Sequence, residues 1–320
     1  MPSDSLINRI KQNRLVYVGL AVYLVLFIYG FLFLHQAGIS NRIVNELWDL
    51  GHIFAYAILL LFVVRLSRTF SGLSLVFQFI LAAIFACLLG ILIEFIQLYT
   101  GRTFSLHDVL LNVVGALTAV ALVSPKIKTV NHFVAMTIRL AVVVSLLFVS
   151  KNAIVYGYDG YQAHRQFPVL FDLSSPFELT RWRGQMVRVD SEEFENSQVL
   201  HAEFLPARYS TLIFDHFPRN WQGYKQLEMV IYNPADTDVK LDIRIHDLEH
   251  FEGVSPYSDR FNSKLVFKPG WNTEVISLDT IRQSPRKRPM NMRHMHQLML
   301  YFPNLTDAKT LLIRKISLTD

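Results

Sequence analysis

Residues 73–99 read LSLVFQFILAAIFACLLGILIEFIQLY, an apolar run in which Glu94 is the one charged side chain. A bilayer core about 30 Å thick is crossed by a helix of roughly 20 apolar residues, so this run predicts a transmembrane helix. Similar apolar runs lie on both sides of it: Leu15–Leu34, Gly51–Leu66, Val109–Val123 and Phe133–Val149. The first half of the chain is therefore predicted to be an α-helical transmembrane bundle of about five helices, the first of them retained as an anchor.

The composition of the 320 residues agrees with a membrane protein. Hydrophobic residues make up 52% of the chain and charged residues 18%, which excludes a wholly soluble or disordered protein. Eleven basic and six acidic residues precede residue 160, whereas the remainder holds twenty of each. The net charge of +5 thus belongs to the short segments between apolar runs, which indicates membrane orientation, and we expect no nucleic-acid partner.

The basic residues of alternate loops predict the orientation of the helices. Seven of them fall on one side of the bundle, whereas only Arg42 and Arg102 fall in the opposite loops. Because basic loops stay in the cytoplasm, we expect a multi-pass protein of the plasma (inner) membrane with a cytoplasmic N-terminus. Five crossings then place the C-terminal half in the periplasm or outside the cell.

Polar residues gather where three predicted helices approach the outer side. They are Asp49, His52, Tyr56, Glu94, Gln97, Arg102, Asp108 and Asn112. A charged group inside a spanning helix costs about 2.5–3.5 kcal/mol on insertion scales, so Glu94 needs a partner, for which Arg102 and His52 are the candidates.

These residue types suit acid–base chemistry. Glu94 or Asp108 would serve as acid or base, and His52 would relay a proton. Arg102 would hold a phosphate or carboxylate group. Simpler roles stay open, because Ser105 followed by Asp108 fits a capping box and the whole set would also serve to hold the helices together.

The spacing of these residues resembles a known family. Asp49-x-x-His52-x-x-x-Tyr56, Glu94-x-x-Gln97, Arg102 and Ser105-x-x-Asp108-x-x-x-Asn112 are similar to the motifs of the VanZ-like membrane domain, named after a protein linked to teicoplanin resistance. The resemblance covers Trp48–Val123, and it implies a bacterial cell-envelope protein without establishing an enzyme. In many members a lysine lies between the first Asp and the His, whereas Leu50 and Gly51 occupy that gap here.

From about Gln166 the sequence changes to short alternating segments separated by turn signals such as Asn233–Asp236 and Lys268–Gly270. Ten strands and no convincing helix are predicted here, which indicates an all-β sandwich or jelly roll. The strands are Val169–Leu173, Met186–Val189, Gln198–Phe204, Thr211–Asp215, Gln226–Tyr232, Val239–Ile245, Lys264–Phe267, Thr273–Leu278, Gln297–Phe302 and Leu311–Leu318.

This half resembles the galactose-binding-like sandwiches of carbohydrate-binding modules, through stretches such as Phe171–Asp172, Arg244–Asp247, Tyr257–Asn262 and Pro269–Asn272. The resemblance implies a glycan-binding surface, in which aromatic faces cover sugar rings and planar polar groups bind hydroxyls. The candidate ligand-binding residues are Trp182, Arg244, Asp247, His250, Tyr257, Asp259, Arg260 and Asn262. A core role stays open for the large aromatics.

No cofactor is predicted. Many sandwiches of this type carry a structural calcium ion, for which Asp172 is a candidate ligand here. The sequence has no dense acidic loop of the kind that supplies six to eight oxygen ligands, so calcium is left open. His246, Asp247 and His250 alone make a weak metal signal.

The chain is predicted to divide into an N-terminal anchor (1–44), a VanZ-like domain (45–125), a fifth helix with a linker (126–160) and an extracytoplasmic sandwich (161–320).

Two functions remain open. In the first, the protein contacts membrane lipid and binds or processes envelope glycans or lipid-linked saccharides. In the second, it is a non-catalytic membrane scaffold whose sandwich binds protein partners.

Overall fold

The computed structural model describes residues 14–33, 42–99 and 103–320. The chain separates into two units, Met1–Ala153 and Ile154–Asp320. The first unit is helical, with a short 3-10 turn at Pro125–Lys128. Its helices are α1 (Arg14–Phe33), α2 (Arg42–Leu66), α3 (Arg68–Gly72), α4 (Leu75–Leu98), α5 (Leu106–Val123) and α6 (His132–Val149).

Four of these helices, α2, α4, α5 and α6, are long and apolar enough to cross a membrane, and α1 contains the shorter apolar stretch Val16–Phe27. The predicted helical bundle is thus confirmed. Helix α2 begins at Arg42, well before the predicted run Gly51–Leu66, because its first turns carry polar residues that the search for apolar runs passes over. Leu34 and Arg102 lie outside the described residues.

Small residues set the spacing of α2, α4 and α5. A Cβ added to Gly115 on α5 would lie 2.3 Å from the carbonyl oxygen of Ile53 on α2, and a Cβ added to Gly90 on α4 would lie 2.8 Å from Nδ2 of Asn112 on α5. Such close backbone approach is typical of membrane helix interfaces. It brings the polar ends of the three helices together.

The second unit is an antiparallel β-sandwich, as predicted. It has eleven strands: β1 (Val169–Phe171), β2 (Trp182–Gln185), β3 (Val187–Phe194), β4 (Ser197–Phe204), β5 (Ala207–Asp215), β6 (Gln226–Asn233), β7 (Val239–Asp247), β8 (Phe261–Phe267), β9 (Gly270–Ser277), β10 (Met295–Leu305) and β11 (Lys309–Thr319). One sheet has the order β3-β4-β11-β6-β9 with β1 also paired to β11, and the other has the order β2-β5-β10-β7-β8. All ten predicted strands are present, and β2 is an addition.

The core lies between the sheets, where aromatic rings meet: Trp182 stacks on Phe214 with ring centroids 4.5 Å apart, and Phe204 meets Phe302 edge to face at 4.9 Å. Because strand side chains alternate, the residues between the core positions of the five-stranded sheet lie on its outer face. Ile243 and Ile245 are in the core, so Arg244 is on the outer face.

The second unit has helices both before and after Gln166, so the expectation of no helix from Gln166 onward is wrong. Its helices are α7 (Lys151–Gln166), in which the second unit begins, α8 (Leu248–Glu252), α9 (Leu278–Gln283) and two 3-10 segments, Pro176–Arg181 and Tyr257–Asp259. The later helices are too short to show a helical period in the sequence, and α7 is too polar to stand out among apolar runs. Asp159 of α7 and Arg181 form a fully buried ion pair, which fixes α7 to the sandwich.

Candidate functional site

The predicted polar residues of the helical unit form a connected group. Nδ1 of His52 lies 3.0 Å from Oδ1 of Asn112, and Nε2 lies 3.4 Å from Oδ2 of Asp108. The backbone N–H of Ser105 donates to Glu94 at 2.8 Å, and the Ser105 hydroxyl donates to Asp108 at 2.8 Å. We call these five residues the membrane cluster.

The membrane cluster is buried among helices whose outer surfaces are apolar. Of its charged and amide side chains, His52, Glu94 and Asn112 are each 2% exposed. Charged residues in spanning segments face the interior of a bundle in this way because lipid cannot solvate them. The three helices therefore share one polar, water-poor site.

The local sequence explains how the membrane cluster is held. Ser105 is the N-cap of α5 and accepts a hydrogen bond from the backbone N–H of Asp108 at 3.2 Å, as the simpler capping interpretation predicts. The same Asp108 carboxylate reaches His52, so capping and pairing coexist. Gln97 and Tyr56 are also buried, and Asp49 is partly exposed.

This geometry allows proton transfer. Since Oδ1 of Asn112 is an acceptor, Nδ1 of His52 carries a hydrogen, and the opposite nitrogen faces a carboxylate. A proton exchanged by these two groups would pass between Nε2 of His52 and Oδ2 of Asp108. Arg102, the predicted anion-binding residue, lies outside the described residues.

The predicted ligand residues of the sandwich meet at one end of the outer face of the five-stranded sheet. Arg244 on β7 is in register with Asn262 on β8 and Met299 on β10. Nε of Arg260 donates to Oδ1 of Asn262 at 3.0 Å, and the Arg260 guanidinium lies 4.9 Å from the centroid of the Tyr257 ring. We call Arg244, Tyr257, Arg260 and Asn262 the sheet-face site.

The two predicted acidic residues are engaged by a cation that the sequence did not single out. Arg288 donates to Asp247 at 2.8 Å and to Asp259 at 2.7 Å, and it lies 3.2 Å from Glu249. Burial would raise the pKa of Asp247, but the hydrogen bonds from Arg288 and from backbone amides lower it overall. Both carboxylates therefore stabilise the loops beside the sheet-face site.

Arg288 comes from the basic run 284–289. No local pattern marks it, because Asp247 lies 41 residues away in the chain. The sequence shows that two polar loops carry opposite charges, but this does not indicate which acidic residue pairs with which basic residue.

His250 is buried beside the site. Its Nε2 lies 3.3 Å from Nη2 of Arg244 and its Nδ1 lies 3.4 Å from Asp259. Its pKa is lowered, first by burial and then by Arg244, so the ring is neutral and accepts from the guanidinium. It thereby positions Arg244.

Trp182 does not belong to this group. It is 7% exposed, and Phe214 covers one face of its ring while Phe171 meets it edge on. The ring therefore contributes to the sandwich core, the role that stays open for large aromatics in the sequence.

The calcium expectation has little support from the donor atoms near Asp172. Both oxygens of Glu178 already accept hydrogen bonds from the backbone of Asp172, Leu173 and Ser175, and Asp172 itself accepts from Ser174. Within residues 14–33, 42–99 and 103–320 no three His, Cys, Asp or Glu side chains are grouped so that they could hold a metal. Calcium binding at Asp172 therefore stays a prediction.

Comparison with known proteins agrees with the predicted resemblance of the helical half. Residues 11–129 match the family model VanZ/LLP1. No curated protein matches the chain.

Solved structures similar to the chain include carbohydrate-binding modules. A family 11 module from Clostridium thermocellum, in complex with a β-1,3-1,4-mixed-linked tetrasaccharide, is 9% identical, with a TM-score of 0.39 over 47% of this chain and 94% of that one. A family 30 module of a Clostridium thermocellum cellulase is 10% identical, with a TM-score of 0.37 over 48% and 96%. An exo-β-agarase is 14% identical, with a TM-score of 0.39 over 47% and 24%.

Proposed function

We propose that this chain is a bacterial cell-envelope membrane protein whose sandwich binds a saccharide, either an envelope glycan or a lipid-linked saccharide, at the sheet-face site. The helical unit, which matches VanZ/LLP1 over residues 11–129, anchors the protein among membrane lipids. The sandwich lies outside the cytoplasm in this proposal, as the distribution of basic residues in the loops favours.

The observation that carries the proposal is the composition of the sheet-face site. Tyr257 is 68% exposed and offers an aromatic surface of the kind that covers the apolar face of a sugar ring. The guanidinium groups and the Asn262 amide beside it are planar donors and acceptors suited to neighbouring hydroxyls. Binding sites typically combine an apolar surface with a few such fixed polar groups.

Saccharide binding is tested with the full chain in nanodiscs on an array of envelope polysaccharides and oligosaccharides. Tyr257→Ala is expected to reduce binding at least about tenfold, since the aromatic surface for the sugar ring and the ring contact that orders the Arg260 guanidinium are lost together. Tyr161→Ala is the matched control, because Tyr161 is 60% exposed and also has an arginine over its ring, Arg165 at 5.8 Å. Failure of the wild-type protein to bind any glycan would refute the proposal.

The orientation needs its own test. In a Cys87→Ala background, a cysteine at Ser191, which is exposed on β3, should react with a membrane-impermeant maleimide in intact cells. A cysteine at Ser3 should react only after lysis. Protection of Ser191→Cys in intact cells would place the sandwich in the cytoplasm and contradict the proposal.

A second candidate function is acid–base chemistry at the membrane cluster, favoured by the 3.4 Å distance between Nε2 of His52 and Oδ2 of Asp108. Glu94→Gln removes a charge but keeps an oxygen that can accept from Ser105. A catalytic cluster predicts folded, detergent-stable protein that no longer supports envelope function. A scaffold, whose sandwich would bind protein partners, predicts loss of folded protein instead. Gln78→Ala, which removes the 2.6 Å bond from Ser124, is a control for purely structural loss.

A further inference from the structure

We infer that the saccharide bound at the sheet-face site carries an anionic group, a carboxylate, phosphate or sulfate, and that Arg244 and Arg260 hold it. This inference rests on the proposed saccharide binding and specifies the chemical class of the ligand.

Three acidic side chains in the loops beside these two arginines are engaged by Arg288. Arg288 binds Asp247, Asp259 and Glu249. Asp242, on the same face of β7 as Arg244, is in register with Lys264 of β8. Within the described chain, no carboxylate therefore forms an ion pair with Arg244 or Arg260.

Arg244 has hydrogen-bonding capacity that the protein does not use. Its Nη2 lies 3.3 Å from the neutral ring of His250, and its Nε is buried with no hydrogen-bond partner among the described residues. A buried donor without a partner costs about 1–3 kcal/mol. An oxyanion would reach this guanidinium through Nη1, because Nε has no accessible surface and Nη2 faces His250.

The two arginines also repel each other. The pKa of Arg244 is lowered to about 10, first by burial and then by the charge of Arg260, and burial likewise lowers the pKa of Arg260. When two guanidinium groups interact in a half-buried site, their charged forms are destabilised unless a negative charge binds beside them. A neutral sugar would leave this repulsion in place, whereas an anionic sugar removes it.

Both guanidinium groups are held in position before any ligand arrives. Asn262 and Tyr257 fix Arg260, and His250 fixes Arg244. Side chains that are already ordered lose less conformational entropy on binding. The site therefore favours a ligand with a charge at a defined position on the sugar over a diffuse attraction to polyanions.

The test compares trigalacturonate with its methyl ester, which has the same rings without the charge, on the full chain in nanodiscs by microscale thermophoresis. The acid should bind at least about tenfold more tightly than the ester, and more weakly as salt rises. Arg244→Gln and Arg260→Gln should each remove the preference for the acid, so that its affinity falls to within about twofold of that of the ester. Arg188→Gln, on the other sheet and paired with Glu203 at the surface, should change neither.

A second pair of probes, an oligosaccharide phosphate and its neutral parent, distinguishes phosphate from carboxylate. Preference for either anionic probe, lost in both arginine variants, supports the inference. Equal binding of charged and neutral probes refutes it and leaves saccharide binding intact. The proposed function itself is refuted if the wild-type protein binds no saccharide while its tryptophan fluorescence shows a cooperative unfolding transition, that is, while it is folded.

Discussion

The buried ion pair between Asp159 and Arg181 gives the sharpest stability prediction. Nε of Arg181 donates to both carboxylate oxygens, at 3.1 and 2.9 Å, and Nη2 donates to Oδ1 at 2.8 Å. Nη1 also donates to the carbonyl of Leu170 at 2.8 Å. Both side chains are fully buried, so Asp159→Asn leaves a charged guanidinium in the core with no opposite charge at this position.

Removing one partner of such a pair costs about 3–5 kcal/mol. For a unit of 150–250 residues each kcal/mol moves Tm by about 2–4 °C, so Tm of the sandwich should fall by about 6–20 °C. Tryptophan fluorescence of the full chain in detergent measures it, because three of the four tryptophans lie in the sandwich half. A variant that melts within about 2 °C of wild type would refute the reasoning.

Two controls separate charge burial from a general effect of substitution. Glu203→Gln breaks the surface pair with Arg188, whose nitrogen and oxygen are 3.6 Å apart, and should cost at most about 1 kcal/mol. The double variant Asp159→Leu with Arg181→Met replaces both charges by apolar groups and should recover most of the stability. The pair also sets the limits of a stable fragment: residues 167–320 should melt at a lower temperature than residues 151–320, because they lack Asp159.

Two further predictions concern packing and pH. Gly115→Ala should lower the stability of the helical unit by about 1–3 kcal/mol, because the added Cβ would meet the Ile53 carbonyl oxygen. Gly51→Ala should leave the stability unchanged, because nothing lies within 4 Å of its added Cβ. Equal melting temperatures of the two variants in detergent would contradict this prediction. Burial lowers the pKa of His246 to about 2 and of His296 to about 4, so below the unfolded value of about 6.5 only the unfolded chain takes up these protons. The free energy of unfolding of the sandwich should therefore be fully retained above about pH 6.5 and fall towards pH 4; His296→Phe should flatten the fall, and an identical pH profile in that variant would contradict the assignment.

Sequence alone predicted the elements that depend on composition along the chain. The length of the apolar runs predicted the spanning helices, and the alternation of apolar and polar residues predicted ten strands. It missed β2, Trp182–Gln185, because three of its four residues are exposed and one is glycine, so no alternation is visible. It missed α7 because that helix is polar and is held by a single buried charge, Asp159.

Sequence predicted that several candidate residues lie close together, but it did not predict which of them contact each other. His52, Asp108 and Asn112 were expected at one depth because each lies near a helix end, and the structure joins them by hydrogen bonds. The pairing of Asp247 with Arg288 depends on two loops meeting in three dimensions, which no spacing rule encodes. The role of Trp182 depended on which face of its strand meets the core.

The pairing of Arg288 with acidic residues affects which ligands the sheet-face site would bind. If it were absent, the Asp259 carboxylate, which already lies 3.4 Å from Nδ1 of His250, would be left without its strongest partner close to Arg244 and Arg260. A carboxylate there would neutralise the two guanidinium groups and compete with an anionic ligand. By binding the acidic residues of the surrounding loops, Arg288 keeps the sheet-face site positive although the C-terminal half of the chain has equal numbers of acidic and basic residues. The selectivity we infer therefore comes from how charges are paired, because the net charge of this half supplies none.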